Sequence, residues 1–331
     1  MNILVTGGAG YIGSHAVKRL SEAGHRVVVL DNLDRGHRAA VPGHVLFEPL
    51  DMRQTEAVTD MLAGHEIECV MHFAAVADVS ESVQQPLRYY HNNTGGSISL
   101  LHAMDAAGVR RLVFSSTCAT YGVPPPDSLP ITEDMTQSPI SPYGWSKLLF
   151  ERVLRDYAAA NSDFAFAALR YFNVAGCASD GSLGEDHDPE THIIPVLLNA
   201  AMGKIPKATI FGDDYATPDG TCIRDYVHVE DLVDAHVVVM DALQNGDQRF
   251  YNLGIGRGYT VRQVVEAAKK VTGVDFQVEI GPRRPGDPPQ LYANADKITR
   301  ELNWQAKITD IERIVETAWR WFKRHPNGYG D

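Results

Sequence analysis

The run Ile3-Leu4-Val5-Thr6-Gly7-Gly8-Ala9-Gly10-Tyr11-Ile12-Gly13 decides how this chain is read. An apolar strand former meets a glycine turn, and Ile12, Ala16, Leu20 and Ala23 then recur at helical spacing up to Gly24. The glycines satisfy both G-x-G-x-x-G and G-x-x-G-x-x-G. They let the backbone turn sharply and approach a pyrophosphate, whose charge is favoured by the amides at the helix N-terminus. A glycine triplet alone is a weak signal, and the flanking strand and helix give it weight. Asp31 ends the next apolar run, 18 residues beyond Gly13. A carboxylate there can accept both ribose hydroxyls of an adenosine and repels a 2′-phosphate, so NAD is expected rather than NADP. Asp51 could accept from the adenine amino group, although an Asp before a helix is also an ordinary cap.

Outward from this loop, short β-branched runs alternate with helical periods: Arg26 to Leu30, Val45 to Glu48, Cys69 to Phe73, Leu112 to Ser115 and Ala165 to Leu169. Parallel crossovers need a helix to return the chain, so the expected fold is α/β, a doubly wound parallel (Rossmann) sheet. Beyond Tyr171 glycine, proline and aspartate become frequent, and a smaller α/β substrate-binding domain is expected. The boundaries read as 1–173, with 229–256 returning to the sheet through Phe250 to Leu253, and 174–228 plus 257–331 for the second domain. Pro282 to Pro289 reads as a rigid loop, and Thr309 to Lys323 as a capped terminal helix.

The 331 residues carry a net charge of -12, which argues against nucleic acid or an anionic membrane as partner. Four dispersed cysteines, Cys69, Cys118, Cys177 and Cys222, contain no C-x-x-C pair, so reduced thiols in a cytoplasm are expected. The start of the chain lacks a basic segment followed by an apolar one, and no run reaches the ~18 apolar residues that span a bilayer. The histidines show no metal-ligand spacing, so no metal is assigned.

Tyr143-Gly144-Trp145-Ser146-Lys147 sets a phenol and an ammonium one helical turn apart on the same face. A phenol is a poor base at neutral pH, and a neighbouring lysine together with a cationic nicotinamide is expected to lower its pKa. The preceding strand ends in Phe114-Ser115-Ser116-Thr117, at the carboxyl edge where open α/β sheets bind ligands. A hydroxyl there can hold the same substrate oxygen that Tyr143 deprotonates.

These residues resemble the UDP-glucose 4-epimerases, within the extended short-chain dehydrogenases. The resemblance covers essentially the whole chain, including Gly7 to His15, Leu30 to Asn32, His72 to Ala75, Phe114 to Gly122, Ser141 to Lys147, Arg170 to Asn173, Gly220 to Tyr226 and Arg283 to Asp287. It implies Tyr143 as base, Lys147 on the nicotinamide ribose and Thr117 on the sugar 4-hydroxyl. It implies that Gly7, Gly10, Tyr11, Ile12, Gly13, Asp31, Asn32, Asp51, Met52, Phe73, Ala74, Ala75, Asn92, Ser115 and Tyr171 line NAD. For the UDP-sugar it implies Asn173, His192, Ile193, Thr209, Phe211, Arg224, Arg284 and Asp287. Two arginines suit a diphosphate, and Asp287 can accept from ribose hydroxyls. The implied reaction is inversion of C4 through a transient 4-ketopyranose.

The chain departs from the family pattern at Ala77, where many members carry a lysine, at Arg35-Gly36, and at His192, an asparagine in some members. Leu291 stands at the position that gates sugar size, where a tyrosine restricts and a small residue admits N-acetylated sugars. UDP-glucose and UDP-galactose are therefore the expected substrates, with UDP-N-acetylhexosamines and UDP-pentoses (xylose/arabinose) as alternatives. A 4,6-dehydratase would need an Asp-Glu pair where Thr117-Cys118-Ala119 stands. A non-catalytic NAD sensor would be expected to lose Tyr143 or Lys147. His228 reads as a local packing residue and Asp231 as a helix cap. Surplus apolar residues in Leu87 to Ala107 and Ser141 to Ala159 point to a homodimer, as does the resemblance.

Overall fold

Along β1 (Asn2–Thr6) side chains alternate between two cores: Ile3 and Val5 face one, Leu4 the other. Both faces are apolar because both are covered, the condition under which parallel sheets occur. The computed structural model describes residues 1–284 and 287–330, so Pro285 and Gly286 of the loop read from Pro282 to Pro289 lie outside the described residues. β2 (Arg26–Leu30) and β3 (Leu46–Glu48) extend the sheet on one side of β1. On the other side follow β4 (Cys69–His72), β5 (Arg111–Thr117) and β6 (Ala165–Tyr171).

Every pairing in this seven-stranded sheet is parallel, and its order reverses at β1. The crevice for a ligand therefore opens at the carboxyl ends of β1 and β4. Helices Tyr11–Glu22 and Val229–Ala242 cover one face, through Val17, Leu20, Leu232 and Met240. Helices Thr55–Gly64, Gly96–Ala106 and Pro142–Ala160 cover the other, through Leu62, Leu100, Phe150 and Leu154.

Among the described residues the strands outside this sheet form three small sheets. β7 (Asn173–Ala175) pairs with β10 (Tyr226–His228), and β8 (Ala208–Phe211) with β13 (Val278–Gly281). β9 (Ile223–Arg224) lies between β12 (Tyr259–Thr260) and β14 (Gln290–Leu291). β11 (Gln248–Leu253) returns to the outer edge of the main sheet beside β6. Helices Ile193–Ala201, Val261–Thr272 and Ile311–Arg324 pack on a third core with Ile194, Val264, Ile314 and Trp321. The terminal helix starts at Asp310, whose carboxylate caps the amides of Glu312 and Arg313. Among the described residues no helix is long and apolar enough to cross a membrane.

Candidate functional site

A single cavity of about 690 Å³ runs along the carboxyl edge, from the glycine loop to β9 and β14. At its first end Gly10 ends the loop and begins the Tyr11–Glu22 helix. A Cβ on Gly13 would stand 2.0 Å from the Gly7 carbonyl oxygen, so this position must be glycine for the loop to close on itself. A Cβ on Gly10 would meet only that same oxygen, at 3.4 Å, and otherwise open space. The cradle thus presents bare backbone and helix amides to the cavity, which fits a dinucleotide pyrophosphate.

Asp31 is buried, and its two oxygens accept from the Ala9 and Leu33 amides, both at 2.9 Å. Burial raises its pKa, while those amides act against the rise. The carboxylate is thereby fixed at the loop, with lone pairs left for ribose hydroxyls. Asp51 is more heavily engaged than its sequence reading assumed. Arg53 grips both of its oxygens and Asn32 donates to it at 3.0 Å, and chiefly the Arg53 contact holds its pKa down at about 2.

Beyond Leu87 the chain widens to a π-helix over Tyr90–Gly95, and Asn92 in that stretch lines the cavity. Gly7, Tyr11, Ile12, Met52, Phe73, Ala74, Ala75, Ala77, Ser115 and Tyr171 line the same end. Ser115 and Tyr171 share a short hydroxyl contact.

The Pro142–Ala160 helix starts cleanly because Ser141 accepts from the Gly144 amide and Pro142 occupies the first helical position. Tyr143 therefore sits on the first turn, facing the cavity beside Thr117. Burial pushes its hydroxyl up to about 12, and the Thr117 hydroxyl opposes that rise. Lys147, one turn on, donates from Nζ to the Ser115 carbonyl at 2.9 Å and lies 5.0 Å from the Phe114 ring centre. Burial lowers its pKa to about 7. The expectation that Lys147 acidifies the phenol is thus not met by the protein groups alone. The ammonium is turned to a backbone carbonyl, and the phenol is held protonated by its own burial.

At the far end stand Asn173, Ile193, Arg224, Arg284, Asp287 and Leu291. Arg224 forms an ion pair with Asp287 and donates to the Ile223 carbonyl at 2.7 Å, so its guanidinium is held in place. The Arg284 guanidinium stacks over Phe211, 4.0 Å from the ring centre. Leu291 packs with Cys118, Ile131 and Phe172 in an apolar wall. Two residues named from the sequence do not line the cavity. Thr209 is turned to β13, where its hydroxyl donates to Glu279 at 3.1 Å. Phe211 lies outside, beneath Arg284.

One constellation escaped the sequence reading. Glu185, His187, Glu190 and His192 bring a ligand atom each within 4.8 Å of one another, and this E-x-H-x-x-E-x-H spacing was there to be seen. Such a donor set can take a zinc-like ion. Here both Nδ1 atoms converge on the buried Glu185, at 3.4 Å from His187 and 2.5 Å from His192. Burial alone would lower the His192 pKa, but the Glu185 carboxylate overrides it and pushes the value up to about 9. The departure at His192 is therefore a change of charge as well as of shape. Arg35, another departure, donates to the Asp188 carbonyl at 2.8 Å.

Residues 3–254 match the NAD dependent epimerase/dehydratase family. A UDP-glucose 4-epimerase of Lactobacillus helveticus is 50% identical over 332 residues, which cover 100% of both chains. UDP-arabinose 4-epimerase 1 of Arabidopsis thaliana is 47% identical over 99% of this chain and 81% of its own. A solved structure, UDP-glucose 4-epimerase from Bifidobacterium longum in complex with NAD+ and UDP, matches with a TM-score of 0.94 at 37% identity. It covers 99% of this chain and 100% of that one.

Proposed function

This chain belongs to the NAD dependent epimerase/dehydratase family, and from that premise we propose that it interconverts the C4 epimers of a UDP-hexose, UDP-glucose and UDP-galactose. The observation that carries the reading is one cavity lined together by the dinucleotide cradle at Gly10, by Tyr143 and Thr117, and by a pair of arginines, Arg224 and Arg284. NAD, when bound, would supply the means of removing and restoring hydride at C4 with no net oxidation. Gly7, Gly10 and Gly13 would admit its pyrophosphate, Asp31 would take its adenosine ribose, and Lys147 with Tyr171 would hold its nicotinamide end.

Tyr143 takes the proton of the sugar 4-hydroxyl and later gives it back, while Thr117 holds that oxygen. Because burial keeps the phenol protonated in the protein alone, its ionisation depends on positive charge arriving with the ligand. Arg224 and Arg284 grip the diphosphate, with Asp287 fixing Arg224 and His192 adding charge. The transient 4-ketopyranose then turns about its link to UDP and offers the opposite face. Inversion requires a firm nucleotide grip and a weak sugar grip, and the apolar wall at Leu291 supplies the latter.

The similarity to a plant UDP-arabinose 4-epimerase favours UDP-pentoses as a second substrate class. We further propose the division 1–173 with 229–256, against 174–228 with 257–331, and a cytoplasmic location, consistent with four free, buried cysteines. A homodimer is proposed from the apolar surface at Val83, Leu87, Trp145 and Leu149 on neighbouring helical segments; Leu87 is 81% exposed. The test is incubation with a panel of UDP-sugars without added cofactor, products being resolved chromatographically. Interconversion is expected; no conversion of any UDP-sugar by protein carrying NAD would reject the reading in favour of a sensor.

A further inference from the structure

Tyr143, Lys147 and Glu151 are spaced four apart and share one face of the Pro142–Ala160 helix. The first two line the cavity; Glu151 does not, and is 1% exposed. Its carboxylate is shared between two strands. Oε1 accepts from the Ser116 hydroxyl at 2.6 Å and from Arg170 Nε at 2.9 Å, and Oε2 accepts from Arg170 Nη2 at 2.6 Å. Gln137 Nε2 completes the set at 3.3 Å.

The placement of these partners matters. Ser116 lies on β5 between Ser115, whose carbonyl holds Lys147, and Thr117, which stands beside Tyr143. Arg170 lies on β6 immediately before Tyr171 and is also 1% exposed. Its remaining guanidinium nitrogen reaches the Tyr121 hydroxyl at 2.8 Å, in the turn that follows Thr117. One carboxylate thus ties the helix bearing Tyr143 and Lys147 to the two strands bearing Thr117 and Tyr171.

A buried ion pair is weak grounds for stability, since apolar residues of similar volume often serve as well or better. Stability alone therefore does not account for a charged pair here. We propose that Glu151, with Arg170 and Ser116, is a positioning residue that pins the register of the catalytic helix and so sets the separation of Tyr143 and Lys147 from Thr117 and Ser115. The inference rests on the epimerase reading for its kinetic consequence and on the packing alone for its structural one.

The test compares wild type, Glu151→Gln and the double variant Glu151→Leu/Arg170→Met, each as the full chain with NAD. The double variant is expected to unfold cooperatively near the wild-type temperature and to retain NAD. Its kcat should fall about 100-fold with KM nearly unchanged, the scale set by a ~1 Å misplacement of reacting groups. The acid limb of its pH profile should move with the displaced phenol. Glu151→Gln keeps the Ser116 contact but turns an amide toward Arg170, and should lose about 10-fold in kcat on the same reasoning.

In the crystal structure of the double variant the contact between Lys147 Nζ and the Ser115 carbonyl should be broken. Its persistence overturns the pin, whatever the turnover. So does a double variant with wild-type kcat, or, where the double variant does not fold, a wild-type kcat in Glu151→Gln. A wild type inert toward every UDP-sugar strikes the epimerase reading instead, and leaves the crystallographic comparison to decide the pin.

Discussion

Gly10→Ala separates the folding role of the glycine loop from its binding role. Gly10 has φ -81° and ψ 175°, a conformation any residue adopts, and its added Cβ would meet nothing closer than the Gly7 oxygen at 3.4 Å. Replacing glycine where alanine fits without strain stabilises by about 0.4–1 kcal/mol, through the unfolded chain. Gly10 is also the helix N-cap, where alanine is worse than glycine by a similar amount, so the apoprotein should melt close to wild type. The same methyl occupies the face on which a pyrophosphate must approach the helix amides. Loss of one charge-assisted hydrogen bond costs about 1.5–3 kcal/mol, or roughly 10–100-fold in Kd. Gly13→Ala is the contrast, since its Cβ would fall 2.0 Å from backbone and disrupt the fold itself. The assay is calorimetric melting of the apoprotein together with NAD titration by isothermal calorimetry. Wild-type NAD affinity in a folded Gly10→Ala protein would show that the pyrophosphate does not lie on this cradle.

Tyr143→Phe should retain NAD yet lose about 10²–10⁴-fold in kcat, the usual contribution of a positioned acid/base; turnover within a few-fold of wild type in a UDP-galactose assay sinks the assigned role. His192 is charged throughout the neutral range because its pKa is raised to about 9. The sign follows: in the folded protein the imidazolium's contribution to UDP binding is complete at neutral pH and is lost across the window in which pH rises through about 9. UDP affinity relative to His192→Asn, measured calorimetrically in the same buffers so that uracil ionisation cancels, should fall across that window. A flat ratio removes the imidazolium from the diphosphate site. Leu291→Tyr should depress the rate on UDP-N-acetylglucosamine relative to UDP-glucose, by filling the apolar wall; an unchanged ratio means the gate lies elsewhere.

The parallel sheet was legible because its signal is local: the unbroken apolar run Ile3, Leu4 and Val5 reports two covered faces, and glycine spacing reports the turn. Tyr143 and Lys147 were legible for the same reason, four residues fixing a shared helical face. What a side chain turns toward within that face was not. Lys147 finds the Ser115 carbonyl 32 residues away, and no spacing announces that acceptor. The turn of the Thr209 hydroxyl was not legible because its partner Glu279 lies 70 residues on, across a strand pairing invisible from either strand alone. Glu185, His187, Glu190 and His192 are a different failure. Their spacing is local, but no helix or strand period frames it, and only the loop's path brings them together.

The two ends of the cavity account for the form of catalysis the family reading requires. Arg224 is prepaired with Asp287 and Arg284 is stacked on Phe211, so a diphosphate meets cations whose geometry is already fixed. On the proposed reading the sugar end is walled in part by Leu291, Phe172 and Cys118, of which only the Cys118 thiol is a hydrogen-bonding group, and a weak one. An apolar wall of this kind distinguishes a missing or added carbon group by only about 1–3 kcal/mol. On the proposed reading it would neither hold the hexose in one orientation nor exclude a pentose strongly. The looseness that lets a ketosugar turn over is the same looseness that blurs selection between sugars, so in this site turnover and substrate breadth rise from one physical cause.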